Sequence, residues 1–173
     1  MTIKHIFVIG AGTMGNGIAQ VAATSGYTVT CMDVMPAALA KAKTAIGKST
    51  SKLVEKGTIT AEQKAGADKI DFVSSYDTLP TADFIIEAAT ENHELKFKIF
   101  KELDAAASEN VILATNTSSI SVTKIAAATK RPDKVIGMHF MNPVPLMKLV
   151  EVIKGLATSE ETLQTTKDIC MIM

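Results

Sequence analysis

Charge of one sign is what this sequence most clearly lacks: across 173 residues, 18 lysines and arginines balance 18 aspartates and glutamates. A chain without net charge has no long-range field to draw it to nucleic acid or to an anionic membrane, so neither is expected as a partner, and any anion must be met by a local device. Cysteine is scarce too. Cys31 and Cys170 lie far apart in apolar surroundings, which supports neither a disulfide framework nor a metal site and predicts two packed, reduced thiols in a cytoplasmic protein. Met1-Thr2-Ile3-Lys4-His5 runs into an apolar strand without a charged leader or small-residue cleavage site, so export is not expected. No apolar run approaches the roughly 18 to 20 residues that cross a bilayer. Internal repeats and low-complexity segments are also missing.

What is present is 47% hydrophobic residues, enough for one core in a chain slightly long for an average domain. Ile3 to Ile9 is apolar, β-branched and bounded by glycine, the pattern of a strand buried on both faces. Ile18, Ala19, Val21 and Ala22 then give one helical face, ended at Ser25-Gly26, and Tyr27 to Met32 reads as a second strand. Strand, glycine turn, helix and strand make a βαβ unit with a right-handed crossover. From Pro36 to Lys56 the spacing predicts a long helix, stopped by Gly57, and Thr60-Ala61-Glu62-Gln63 has the form of a capping box opening another. Together they form a two-helix arm over residues 36–69. Its lysines at 41, 43, 48, 52 and 56 read first as a solvated face.

Alternation then resumes. Strands are expected near Ile70 to Val73, at Phe84 to Ala88, Val111 to Ala114, Val135 to Phe140 and Leu149 to Ile153, with helices near Leu95 to Ala107 and Val122 to Ala128. Asn142-Pro143-Val144-Pro145 forbids a helix between the last two strands. The expected fold is α/β: one doubly wound, mostly parallel sheet of the Rossmann type over residues 1–173, carrying the inserted arm.

Gly10-Ala11-Gly12-Thr13-Met14-Gly15 has the spacing of a dinucleotide loop. Gly10 permits the tight turn, Gly12 lets backbone approach a pyrophosphate, and Gly15 lets the helix pack close to the sheet. Free amides at the helix start, at Thr13 and Met14, then face the phosphates. Such a loop is weak on its own, but here it follows a buried strand, opens a helix, and precedes an acid at a strand end, Asp33, about 20 residues on. That acid suits the ribose hydroxyls of NAD and repels the extra phosphate of NADP.

Oxidation of an alcohol needs a base for the hydroxyl proton. Of three histidines, His139 alone ends an apolar strand, where the carboxyl ends of parallel strands gather ligands. Glu151 sits among apolar neighbours and needs a partner. The turn between could fold it back onto His139 as an orienting acid; a strand-end histidine and an unconnected edge glutamate are equally compatible with the spacing. Ser118, in Asn116-Thr117-Ser118-Ser119, is open to donating to a substrate oxygen or capping the next helix. It lacks the flanking glycines of a nucleophile elbow.

The glycine loop, the Asn116–Ser119 segment, and above all His139-Phe-Met-Asn-Pro-Val-Pro-Leu-Met-Lys-Leu-Val-Glu151 closely resemble the 3-hydroxyacyl-CoA dehydrogenases, particularly the bacterial 3-hydroxybutyryl-CoA type, over essentially the whole chain. The resemblance implies reversible oxidation of an (S)-3-hydroxyacyl-CoA to the 3-oxoacyl-CoA with NAD, in fatty-acid β-oxidation or butyrate metabolism. It implies His139 as the base and Glu151 as its partner, with Ser118 and Asn142 near substrate and nicotinamide. Asp33, Glu91, Lys96 and Asn116 fall at NAD contacts, and Ser49 and Lys56 at positions that meet CoA. Members of that family continue for roughly a hundred residues into a helical domain that closes the cleft and makes most of a homodimer interface. The chain is therefore expected to be the cofactor-binding part, weakly active or inactive alone. Two alternatives stand beside this: another hydroxyacid dehydrogenase, acting on free acids with a lysine acid/base, and a non-catalytic dinucleotide-binding module.

Overall fold

The computed structural model describes residues 2–173. Seven strands form a single sheet in the order β3-β2-β1-β4-β5-β6-β7. They span His5–Ile9 (β1), Thr28–Met32 (β2), Asp71–Val73 (β3), Phe84–Glu87 (β4), Ile112–Thr115 (β5), Val135–Phe140 (β6) and Val150–Lys154 (β7). The first six run parallel, and β7 alone returns antiparallel along β6. Six α-helices connect and flank them: Thr13–Thr24 (α1), Pro36–Glu55 (α2), Ala61–Ala67 (α3), His93–Ala106 (α4), Val122–Ala126 (α5) and Glu160–Ile172 (α6).

Alternation along each strand divides the apolar side chains between two cores. Ile6 and Val8 of β1, Phe84 and Ile86 of β4, and Ile136 and Met138 of β6 point to the side covered by α1, α2 and α6. Phe7, Ile9, Ile85 and Leu113 point to the side covered by α4 and α5. Strands buried on both faces need continuous hydrophobic runs, as β1 and β4 have. The expected strands and helices appear within one or two residues of their forecast ends.

Pro36 occupies the first turn of α2, and Gly57 ends it with a φ of +67°, a conformation costly for any side chain. The Thr60 capping box forms: its hydroxyl accepts from the Gln63 amide, and the Gln63 side chain accepts from the Thr60 amide. The arm is not a free projection. Leu39, Ala42 and Ile46 of α2 join the core, and α3 lies so close to α1 that a Cβ on Gly66 would stand 2.7 Å from the Ala23 carbonyl oxygen. The five lysines are exposed, as a solvated face requires.

Helix α6 has no counterpart in the sequence-based expectation. Ser159 caps it by accepting from the Thr162 amide, and Ile169 enters the core with Cys170 and Met173 against it. Both cysteines are free thiols; burial, aided by the Asp33 charge, pushes Cys31 up to about 12, and burial raises Cys170 to about 11. No described helix is long and apolar enough to cross a membrane.

Candidate active site

Strand order reverses between β1 and β4, and crevices at such a switch, beyond the carboxyl ends of the strands, are where open α/β sheets bind ligands. Gly10 leaves β1 with a φ of +93°, and a Cβ there would lie 2.8 Å from the Ala88 carbonyl oxygen. Gly15 is tighter still: a Cβ would fall 1.7 Å from the Gly10 carbonyl oxygen, so α1 seats directly on the turn. Gly12, the N-cap of α1, contrasts with both. Apart from its neighbours in the chain, no protein atom lies within 4 Å of where its Cβ would be, so the fold itself does not require glycine there. The first turn of α1 has no side-chain cap and no acidic residue, which leaves the amides near Thr13 and Met14 to meet an anion.

Asp33 stands just beyond β2, across from this turn. One carboxylate oxygen accepts from the Ala11 amide at 2.8 Å and the other from the Met35 amide at 2.9 Å. A carboxylate has about four acceptor sites, so capacity for further donors remains. Gly10, Gly12, Asp33, Met35, Ala89 and Leu95 line one cleft of about 590 Å³. Its lining is mostly apolar, with Glu102, Lys41 and Lys98 as further charged members, and Asp33 placed beside the bare helix start suits the ribose hydroxyls of NAD.

The second hollow, about 310 Å³, opens on the same edge of the sheet beyond β5 and β6 and is lined by Thr117, Ser118, His139 and Glu151. Antiparallel return of β7 puts His139 and Glu151 directly opposite each other in register. The Glu151 carboxylate accepts from His139 Nδ1 at 2.8 Å, and Ser118 Oγ lies 3.1 Å from His139 Nε2. With its proton fixed on Nδ1 by the carboxylate, the ring presents a bare Nε2 that the serine hydroxyl can donate to. The imidazole is one-fifth exposed, Glu151 half exposed. Asn142 lies in the loop after β6, exposed and followed by a cis peptide to Pro143. Val144 of that loop sits against Gly17 of α1, where a Cβ would come 2.8 Å from it. Gly17 was not singled out from the sequence.

Between the two hollows lies a polar network that sequence reasoning found only in part. Glu91 is its outer member. One oxygen of its carboxylate accepts from the Thr117 hydroxyl at 2.5 Å, the Ser118 amide at 2.9 Å and the Ser119 amide at 3.2 Å. Partial burial pushes this carboxyl up, but the Thr117 hydroxyl, the Lys96 charge and the two amides together outweigh that and hold it below the ordinary glutamate value. Asn116 accepts from the Phe140 amide at 2.9 Å through its side-chain oxygen, tying the end of β5 to β6.

Lys96, expected at a cofactor contact, lies beneath the cleft. It is wholly buried, and its ammonium is taken up by Glu87, at 2.7 and 3.0 Å, and by Glu91 at 3.5 Å. Glu87, Thr115 and Thr117 were not singled out from sequence. Thr115 and Thr117 reach glutamates 28 and 26 residues away, and Glu87 meets a lysine on the next helix, so nothing in a local pattern marks them. Ser49 and Lys56 fall seven residues apart, hence on one side of α2, half-buried and exposed respectively. The lysine-lined groove of the arm, bounded by Lys43, Gly47, Lys48 and Lys52, contains neither.

Comparison with known proteins gives this geometry a context. Residues 5–173 match the family described as 3-hydroxyacyl-CoA dehydrogenase, NAD binding domain. A probable 3-hydroxybutyryl-CoA dehydrogenase of Bacillus subtilis is 50% identical over 163 residues, covering 94% of this chain and 57% of the relative. The mitochondrial hydroxyacyl-coenzyme A dehydrogenase of Mus musculus is 44% identical, covering 97% and 56%. Among solved structures, an (S)-3-hydroxybutyryl-CoA dehydrogenase from Ralstonia eutropha superposes with a TM-score of 0.95 at 48% identity, covering 99% of this chain and 61% of that one. The chain thus spans somewhat more than half the length of the relatives it matches.

Proposed function

This chain belongs to the family of 3-hydroxyacyl-CoA dehydrogenase NAD-binding domains, and from that premise we propose that it serves the reversible, NAD-dependent oxidation of (S)-3-hydroxyacyl-CoA, 3-hydroxybutyryl-CoA foremost, to the 3-oxoacyl-CoA. The observation that carries the proposal is the chain of contacts from Ser118 Oγ to His139 Nε2 and from His139 Nδ1 to Glu151.

Bound NAD supplies the acceptor for the two electrons that leave the carbinol carbon. Everything else falls to side chains. His139 Nε2 takes the proton of the substrate hydroxyl, and the Glu151 carboxylate stabilises the imidazolium that results, as an orienting acid does in other dyads. Ser118 donates to the same substrate oxygen once that oxygen displaces its hydroxyl from the imidazole. In the reverse direction His139 returns the proton. The turn shaped by Gly10 and Gly15 holds the pyrophosphate through backbone, approached at Gly12 and met by the amides near Thr13 and Met14; Asp33 holds the adenosine ribose, and Glu91 and Asn116 border the nicotinamide side. Asn142, in the loop after His139, reaches toward substrate. Half-buried Ser49 of α2 and the exposed Lys56 at its C-cap, with Lys52 between them, suit the phosphates of CoA.

The test is made on the whole reading frame that encodes this chain. Acetoacetyl-CoA should be reduced by NADH in preference to free 3-oxo acids, and His139→Gln should lower kcat on the order of 100- to 10,000-fold, the worth of a positioned general acid/base. Unchanged reduction in that variant, or a preference for the free acids, would overturn the proposal.

A further inference from the structure

Glu87 closes β4 in the middle of the sheet with no exposed surface, and Lys96 of α4 has none either. The Glu87 carboxylate is fully bonded. One oxygen accepts from the Ala89 amide at 2.7 Å and from Lys96 at 2.7 Å; the other accepts from Lys96 at 3.0 Å and from the Thr115 hydroxyl at 2.6 Å. Removing two charges from water is expensive, and an apolar pair of similar volume commonly gives equal or greater stability. What such a pair does that an apolar pair cannot is fix direction.

The direction leads to the histidine by two routes. Lys96, pinned by Glu87, also stands 3.5 Å from one oxygen of Glu91. The other Glu91 oxygen gathers Thr117, Ser118 and Ser119, and Ser118 faces His139 at 3.1 Å. Along the backbone, the Glu87 carbonyl accepts from the Asn116 amide at 2.7 Å, and Asn116 in turn holds the Phe140 amide next to His139. Every link is a hydrogen bond or a charge contact, so a displaced member shifts the next.

We infer that Glu87 is a positioning residue for the His139 site: its buried carboxylate fixes the Lys96 ammonium beside Glu91, so that Glu91 holds the Thr117–Ser119 loop with the Ser118 hydroxyl opposite the imidazole. Lys96 belongs to the same device and acts through Glu91. The consequence for catalysis rests on the proposed role of His139; the geometric part does not.

Two variants separate positioning from mere structure. Glu87→Gln keeps the shape and removes the charge. The double variant Glu87→Met with Lys96→Met replaces the pair by apolar side chains, which a purely structural role would tolerate. The readouts are the amide resonances of Ser118 and Ser119 and the Nε2 resonance of His139, one of only three histidines in the chain. Kinetics of acetoacetyl-CoA reduction are measured alongside in the whole protein. The expected result is a folded double variant in which all three resonances move and kcat falls on the order of 100-fold with KM little changed, the scale of a reacting group misplaced by about an ångström. A folded double variant with parental resonances and kcat overturns the inference, as does loss of the fold in both variants, which would make the pair a structural element only. If the unaltered protein does not reduce acetoacetyl-CoA, the proposed reaction fails, while the resonances still decide whether Glu87 places Ser118.

Discussion

Gly12 and Gly15 belong to one motif, yet the structure assigns them opposite burdens, and alanine at each should separate fold from ligand. At Gly15 a methyl group would lie 1.7 Å from the Gly10 carbonyl oxygen and 2.8 Å from its carbon. Contact of a real Cβ with an oxygen begins near 3 Å, so α1 and the turn must part by more than about 1 Å. Retreat is obstructed, because the same helix is held at Gly17 by Val144 and at Ala23 by α3. Overpacking of this kind costs about 1–3 kcal/mol, while alanine in place of glycine within a helix returns up to about 1 kcal/mol. A 1.7 Å approach to backbone belongs at the upper end of that range, so the net loss is about 2 kcal/mol, which at a slope of about 2 kcal/mol per molar urea moves the unfolding midpoint down by roughly 1 M. Gly12→Ala meets no protein atom. There the weaker N-cap preference of alanine and the smaller entropy of its unfolded chain offset each other, leaving stability within about 0.5 kcal/mol of the parent. Its effect should fall on NAD, with affinity lowered at least tenfold by calorimetry, because the methyl occupies the space through which backbone nears the pyrophosphate. Equal urea midpoints for Gly15→Ala and the parent would refute the packing argument. A Gly12→Ala protein that binds NAD like the parent would refute the division of tasks.

Asp33→Ala should weaken NAD roughly 10- to 100-fold and narrow its advantage over NADP, since a hydrogen bond to a charged group contributes about 1.5–3 kcal/mol; calorimetry with both cofactors reads this, and an unaltered preference counts against the ribose role. Glu91 is held below its ordinary value of 4.5. A depressed carboxyl contributes stability that is complete above that ordinary value and is lost as pH falls through the lower folded one. The Ser119 amide, which bonds to Glu91 and not to the imidazole, should therefore keep that bond, as its resonance reads, down to about pH 5 and lose it only below the ordinary glutamate value, and loss of the bond above that value would contradict the clamp.

Much of the fold was legible because the sheet is buried on both faces, which forces runs such as Ile-Phe-Val-Ile in β1 and Phe-Ile-Ile in β4. Helix α6 escaped notice for the complementary reason. Its inward positions include Thr162 and Thr166, whose hydroxyls bond to carbonyl oxygens at Asp133 and Thr162, so it lacks the aliphatic stripe that marks a packed helix. At the site, Gly10, Gly12 and Gly15 announce themselves by spacing, and His139 by its place at a strand end. The contact of His139 with Glu151 was one of two possibilities until the register of β7 on β6 put them face to face. Glu87 has no mark in the sequence, and Lys96 was reached only through the family resemblance, as a cofactor contact rather than as its partner. A glutamate ending a strand and a lysine in a charged helix look like surface residues, and only the packing of α4 over the end of β4 makes them a buried pair.

The seat of Val144 on Gly17 bears on how such domains can be recombined. A chimera that imports a different first βαβ unit while retaining residues 135–150 also imports whatever side chain the donor carries at 17, and any group larger than hydrogen there pushes the loop that follows His139. Crossover points should therefore be chosen so that position 17 and position 144 come from the same parent, even though most of the chain separates them.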